Sequence, residues 1–528
     1  MRSLLQIVAV VVVLPTIAHS APADYFGIRV VDQETGRGIP LVELRTTYKA
    51  RYYTDSAGYV AFLEPGLMDQ EVWFDVASYG YDSPKGPIGT HGIALKIAPG
   101  TTTEIKLHRN QIAERLYRMT GYGTYRDSTL LGISPPIDRD LLPGQVTGQD
   151  SVQTAIYRGR MYWLWQDTDR LSFALGNFSM TGATSALPEK LDPERGIEFK
   201  YFVRQPYGFV KPFALVKREG NNPIWVDGIM VVKDAARRER MLGRYVAANP
   251  DYSFAEIGLV LYDDEKNQFD ALKKLEKHEA TRLYPSGHPC RVQAYGNDYY
   301  YFSNPFPCAR VMLTFEAASD FSAYEGFTCL TPGSVFQNEK SSVNRDADGK
   351  LVWTWQRRTE PIGPDEFEAL VEAGLTTAEE SPFQIKDVET GKPVRVHNGS
   401  VAWNPYLKAW VFLFGQRDGD SFLGEIWLAT ASAPEGPWTA ARKVATHARP
   451  GNNNDLYNPM QHPELAGEDG KILYFQGTFV NTFSGNPSPT PYYDYNQLMY
   501  RVDLSDDRLK LPTPPAGFTD SRPSAIGP

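Results

Sequence analysis

The sequence predicts an all-β protein whose larger part is a β-propeller, and two observations carry that expectation. Aromatic residues make up 12% of the 528 residues, with 44 Gly and 39 Pro, a usage that suits short strands joined by tight turns. The second observation is a device that recurs at intervals of roughly 50–75 residues: an alternating strand, a tight turn and an aromatic-rich strand.

Taken in order, Asp150–Tyr157 turns at Arg158-Gly159 into Met161–Trp165, and Trp225–Val232 turns into Met241–Val246. Cys290–Ala294 turns at Gly296-Asn297-Asp298 into Tyr299–Phe302, and Ser342–Arg345 turns at Asp348-Gly349 into Leu351–Trp355. Val396–Trp403 turns at Asn404-Pro405 into Trp410–Phe414, and Gln461–Leu465 turns at Asp469-Gly470 into Ile472–Phe475. One such unit cannot bury both of its faces, so the units stack radially around an axis. A pair of packed sandwiches is the rival arrangement. Helices are expected at Phe269–Lys277 and Pro364–Ala373, as insertions between hairpins, with a short helical stretch at Gln111–Met119.

Residues 24–109 form a separate strand-rich unit. Ile28–Gly36 is a strand entering a turn, Gly38–Leu44 an alternating strand, and Tyr53–Phe62 a hairpin around Asp55 and Gly58; Phe74–Val76 and Thr103–Leu107 add further strands. The run Asp32-x-Glu34-Thr35-Gly36 with Ile39-Pro40, leading to Thr54-Asp55 and Gly58, resembles the transthyretin-like or carboxypeptidase-regulatory module of exported bacterial proteins. That resemblance implies an N-terminal β-sandwich, and with the recurring hairpins the expected architecture is a sandwich followed by a five- or six-bladed β-propeller. The implied boundaries are 21–109 for the sandwich, 110–147 for a linker and lead-in, 148–505 for the propeller and 506–528 for a Pro-rich tail.

The first twenty residues stand apart. Arg2 precedes an apolar run, Leu4–Leu14, and the small-residue site Ala18-His19-Ser20 follows, which is the plan of a secretory signal peptide cleaved after Ser20 or Ala21. The run is shorter than the roughly 20 residues of a bilayer span. The expected location is therefore secreted or periplasmic, with no membrane span. Net charge is −9 without a long basic run, which argues against nucleic acid as a partner. Three cysteines, Cys290, Cys308 and Cys329, exclude a disulfide scaffold and a Cys-rich zinc site. Cys290 and Cys308 flank a hairpin, so either they pair or all three are separate buried thiols.

A second resemblance concerns the larger part. Thr430-Ala-Ser-Ala-Pro-Glu-Gly-Pro-Trp438, after Glu425-Ile-Trp-Leu-Ala429, resembles a blade element of the propeller glycosidases, glycoside hydrolase family 43 and its endo-arabinanase relatives. Gly148-Gln-Asp-Ser151 with Trp165-Gln-Asp-Thr168 is similar to the first blade of such propellers. The resemblance departs in showing six hairpins where those enzymes have five blades. It implies carboxylate catalysis on a carbohydrate, with Asp150 as base, Asp227 as the aspartate that tunes and orients, and a glutamate acid, for which Glu425 and Glu325 are the candidates.

Hairpin geometry selects residues independently. Asp150 and Asp167 are nearly equidistant from the turn at Arg158-Gly159, so an antiparallel hairpin returns both to one end. Two carboxylates at one end are what glycosidic cleavage uses, although an Asp also caps turns through its own backbone. The same rule selects Asp227, His288, His397 with Asn398, and Gln461 with His462. Trp165, Trp225 and Trp403 would offer flat faces to sugar rings or else pack between sheets, and Arg291, Arg204 and Arg395 would recognise an acidic group. His462 is a candidate for the axis beside a structural calcium ion, and Asn452–Asp455 offers oxygen ligands. The expected function is glycoside hydrolysis of a polysaccharide or oligosaccharide. A uronate-directed lyase and a non-catalytic carbohydrate-binding protein are the alternatives.

Overall fold

The computed structural model describes residues 24–524, except residue 139 and segments 173–179, 217–223, 250–253, 276–281, 420–422, 450–451, 454, 482–489 and 520. The expected signal peptide lies outside the described residues. Among the described residues, no helix is long and apolar enough to cross a membrane.

The first seven strands form two sheets. Tyr59–Phe62, Phe26–Asp32 and Thr102–Leu107 make one, and Arg51–Tyr53, Glu43–Thr46, Glu71–Ala77 and Gly92–Lys96 make the other. Alternation along Glu71–Ala77 sends Val72, Phe74 and Val76 inward, where they meet Ile28, Val30, Leu44, Val60 and Phe62. Each such buried side chain contributes about 1.5–3 kcal/mol. The expected Tyr53–Phe62 hairpin is corrected: its two arms belong to different sheets. Asp55 forces the crossing, because its Oδ1 accepts the Ala57 and Tyr59 amides at 2.9 and 3.1 Å. Gly58 follows at φ 81°, where a Cβ would lie 2.5 Å from the Val30 carbonyl oxygen.

Five further sheets follow, antiparallel except where Ala214–Leu215 pairs with Gln268–Lys274 and Lys386–Asp387 with Ala440–Thr446. Counted from the inner edge of each sheet, and leaving aside Ser521–Pro523 beside His288–Ala294, their first strands are Val152–Tyr157 in sheet I, Ile224–Lys233 in II, His288–Ala294 in III, Arg395–Asn404 in IV and Asp455–Gln461 in V. Each first strand touches the first strand of the next sheet, and the fifth touches Val152–Tyr157. Five apolar clusters fill the gaps between consecutive sheets: I–II around Tyr245, II–III around Tyr300, III–IV around Phe412, IV–V around Phe475 and V–I around Trp163. Because both faces are covered, strands such as Ile472–Val480 are buried at every residue, and their sequences run apolar rather than alternating.

Sheet V takes its fourth strand, Glu114–Arg118, from the segment that follows the N-terminal sheets. This corrects the helical expectation at Gln111–Met119: all five residues of the strand are buried, which a one-sided helix pattern does not allow. Phe269–Lys277 is corrected likewise, being a strand at Gln268–Lys274 whose Phe269 pairs with Tyr262. The six hairpins reduce to five sheets. Thr354–Arg357 is the outer strand of sheet III, and the Ser342–Arg345 arm keeps only an Arg345–Leu351 bridge. The helix between sheets III and IV is present at Pro364–Glu372, buries Phe367 and Leu370, and has its Gly363 amide bonded to the Glu366 carboxylate at 3.0 Å. Cys290, Cys308 and Cys329 are three separate buried thiols. Near the C-terminus, Ser521–Pro523 pairs with His288–Ala294.

Candidate active site

The starts of inner strands from neighbouring sheets are tied together by side-chain bonds. Asn458 donates to Ser151 Oγ at 2.5 Å and accepts from Asn398 at 3.0 Å, linking sheets V, I and IV. Asp227 accepts the Gly287 amide at 2.8 Å, linking II to III. Three inner strands carry a register shift close to this end, at Asp227/Met230, Val396/Asn398 and Tyr457/Met460. Such bulges re-aim side chains beside functional sites.

Asp150 and Asp167 meet here. Their backbones are joined by Asp150 N to Asp167 O at 3.1 Å, and the Asp167 amide donates to Asp150 Oδ1 at 3.1 Å. Tyr457 donates to Asp150 Oδ2 at 2.7 Å, and Tyr495 bonds to the same carboxylate. Burial raises both carboxyls, and Asp167 reaches about 7 because the Asp150 charge stands beside it. The hydrogen bonds that Asp150 accepts favour its charged form and oppose that rise, and two carboxyls this close titrate as a pair. Asp167 is half-buried and accepts the Trp225 indole N–H at 2.8 Å. Asp169, a third acid at this end, is pushed to about 6 by burial and by Asp494 and Asp150. Among the described residues, no Lys, Arg or His is ion-paired with Asp150, Asp167 or Asp169.

The other expected residues divide into groups. Asp227 stands directly opposite Arg244 across the strand pair and is held by it at 2.7 and 2.5 Å; its charge is spent on that ion pair. Glu425 begins the third strand of sheet IV and binds Lys443 at 2.6 Å, while Glu325 lies on the fourth strand of sheet III and binds Arg310 at 2.7 Å. Neither glutamate is on an inner strand, so the hairpin rule does not carry them to Asp150. Trp165 has no exposed surface and packs edge-on against Phe199 at 5.1 Å, which corrects its expected sugar contact.

Trp225 alone of the three tryptophans sits with the carboxyl pair. Trp403 packs on Trp410 and, with His288, Arg291 and Gln461, lines a cavity further along the axis. Gln461 ties sheets V and IV through the Ser400 and Val411 carbonyls at 2.7 and 3.0 Å. His397 lines a second cavity, between sheets III and IV, where burial and Arg417 lower its pKa. Arg395 is ion-paired with Glu368 and Asp418, and Arg204 is exposed on a separate two-stranded ribbon.

His462 is fully buried with both ring nitrogens engaged, Nδ1 to Glu464 and Nε2 to Gln476 at 3.1 Å each. Among the described residues, no group of three or more His, Cys, Asp or Glu is placed to hold a metal ion. The side chains of Asn452–Asp455 lie outside the described residues. Tyr457, Tyr495, Asn458 and Arg244 escaped the sequence reading. Tyr457 and Asn458 precede Gln461 on the same inner strand, so the hairpin rule extended four residues upstream would have found them. Arg244 was legible as the cross-strand partner of Asp227.

No family model matches the chain, and no curated protein matches it. Among solved structures, the chain is similar to a glycoside hydrolase family 43 enzyme from Xanthomonas citri complexed with xylose, at 12% identity and TM-score 0.32, covering 72% of this chain and 93% of that one. It is also similar to an exo-β-1,3-galactanase from Phanerochaete chrysosporium with galactose, at 7% identity and TM-score 0.35, covering 76% and 67%. A family 43 β-xylosidase/α-arabinofuranosidase from a compost microbial metagenome is similar at 13% identity and TM-score 0.32, covering 70% and 93%.

Proposed function

We propose that the chain is an exported five-bladed β-propeller that hydrolyses glycosidic bonds of a polysaccharide or oligosaccharide. The Asp150–Asp167 pair beside Trp225 is the observation that carries this reading. Glycosidic cleavage needs one group to protonate the leaving oxygen and another to take a proton from water. Asp167, half-buried and raised to about 7, holds a proton at neutral pH and is reachable, so it serves as the acid. Asp150, whose charged form is favoured by hydrogen bonds from Tyr457, Tyr495 and the Asp167 amide, serves as the base. Trp225 presents an indole face for a sugar ring at the same place. Glu425, Glu325 and Asp227 take no part in the transfer.

A second reading, a carbohydrate-binding propeller without catalysis, is favoured by one observation: Asp227 is neutralised by Arg244, which leaves the pair without a further free carboxylate from sheet II. One assay separates the readings. The protein is incubated with a panel of neutral and uronate-containing glycans while reducing ends and ultraviolet absorbance are followed together. Reducing ends without new absorbance support hydrolysis, and their loss by at least about a hundredfold in Asp167→Asn and Asp150→Asn assigns it to the pair. Absorbing products would indicate a lyase. Retention on a glycan column with no cleavage would leave the binding reading.

A further inference from the structure

The inner strands enclose a cavity of about 270 Å³ beneath the carboxyl end, walled by Ile156, Met161, Ile229, Val231, Val401 and Trp403. An engineered apolar cavity of about 150 Å³ already admits benzene, so this one has room for a substituted ring. Its lining includes Gln153 and His288, which lie at the end nearest Asp150 and are 4% and 5% exposed. The Gln153 amide nitrogen donates to His288 Nδ1 at 3.2 Å, which places the ring hydrogen on Nε2. Burial, with His462 nearby, lowers this histidine to about 4, and its ring is neutral. Neither His288 Nε2 nor Gln153 Oε1 has a hydrogen-bond partner among the described residues, and neither is sealed from open space. One donor and one acceptor, both uncharged, are therefore presented side by side in an apolar chamber. An unmet pair of this kind is costly unless a ligand or water satisfies it.

We propose that the axial cavity binds a small uncharged ring compound whose head both accepts and donates a hydrogen bond, as a primary amide does, with the head on His288 Nε2 and Gln153 Oε1. A carboxylate head is disfavoured because it brings two acceptors to a site with one donor and leaves Gln153 Oε1 facing a negative charge. Arg291, on the same wall, is occupied by the Tyr300 hydroxyl at 2.9 Å and the Val231 carbonyl at 3.3 Å.

The test uses the full chain with benzamide, benzoate and toluene, followed by calorimetric titration. Benzamide is expected to saturate one site, with benzoate at least tenfold weaker. His288→Phe and Gln153→Leu should each weaken benzamide at least tenfold while changing toluene affinity less than threefold. The absence of saturable benzamide binding, or benzoate binding as tightly as benzamide, would overturn the proposal using unmodified protein alone. Asp167→Asn is expected to bind benzamide like the parent, so the outcome is independent of whether glycans are cleaved.

Discussion

Sheets I and II begin with hairpins that look alike in sequence, each delivering an aspartate to the same end of the ring, yet the two carboxylates have opposite fates. Asp227 has Arg244 directly opposite on the neighbouring strand and a backbone amide from sheet III, so its charge is compensated where it is buried. Asp150 has Tyr457, Tyr495 and the Asp167 amide, with a second carboxyl in place of a cation. Burial with a counter-ion makes a structural tie between sheets; burial without one makes a pair of carboxyls that together hold a proton they would lose in water. The reactivity of this end therefore comes as much from the lack of a cation partner among the described residues as from the aspartates present.

The largest effect should come from breaking the compensated pair. Asp227→Asn leaves Arg244 buried without its counter-charge, a change that costs about 3–5 kcal/mol and should lower the denaturation midpoint accordingly. Asp227→Asn with Arg244→Met should cost less than the sum of the single changes, because the orphaned charge is gone. Asp167→Asn should behave in the opposite way, leaving stability unchanged or higher at pH 8, where the parent must hold a buried carboxylate it disfavours. If both asparagine variants unfold alike, the contrast between the sheets is wrong.

Glu435 extends the contrast to another buried carboxylate. Thr519 donates to Oε1, Oε2 meets no hydrogen-bond criterion among the described residues, and burial lifts the group to about 7 against the opposing pull of Thr519, Arg310 and Trp355. A folded-state pKa above the unfolded value means that the folded chain binds the extra proton, so stability declines as pH rises from about 4.5 through about 7. Glu435→Gln should flatten that decline by on the order of 3 kcal/mol, measured by denaturant titration at several pH values.

Much of this was legible in the residues. The equal spacing of Asp150 and Asp167 about Gly159 foretold their meeting, because antiparallel pairing is set by distance from a turn. The count of sheets was not, since Leu351–Trp355 has the composition of an inner strand and only its hydrogen bonding to Glu325–Thr328 reveals an outer one. For Trp165 the packing alternative holds rather than the sugar contact, because alternation does not say which face of a doubly covered sheet meets solvent, and here neither does. Glu425 was drawn in by a motif; its partner Lys443 lies across the strand pair, where no local spacing points to it. The Tyr457 and Tyr495 hydroxyls converge from two chain segments far from Asp150 in sequence, so only the contact between sheets V and I brings them in.

The finest test of the comparison concerns direction rather than size. Two neighbours act on Asp167 in opposite senses: the Asp150 charge raises its pKa, and the Trp225 indole N–H lowers it by stabilising the anion. If Asp167 must carry a proton to act, glycan cleavage declines as pH rises through about 7. Asp150→Asn, in whatever activity survives, should move that basic limb to lower pH by a unit or more, since the repelling charge is removed. Trp225→Phe keeps an aromatic face for the sugar but deletes the donor, so the limb should move upward, by less than one unit. Movement of both limbs in the same direction would mean that the titrating group is not Asp167, and the carboxyl at the end of sheet I would then be as structural as the one in sheet II.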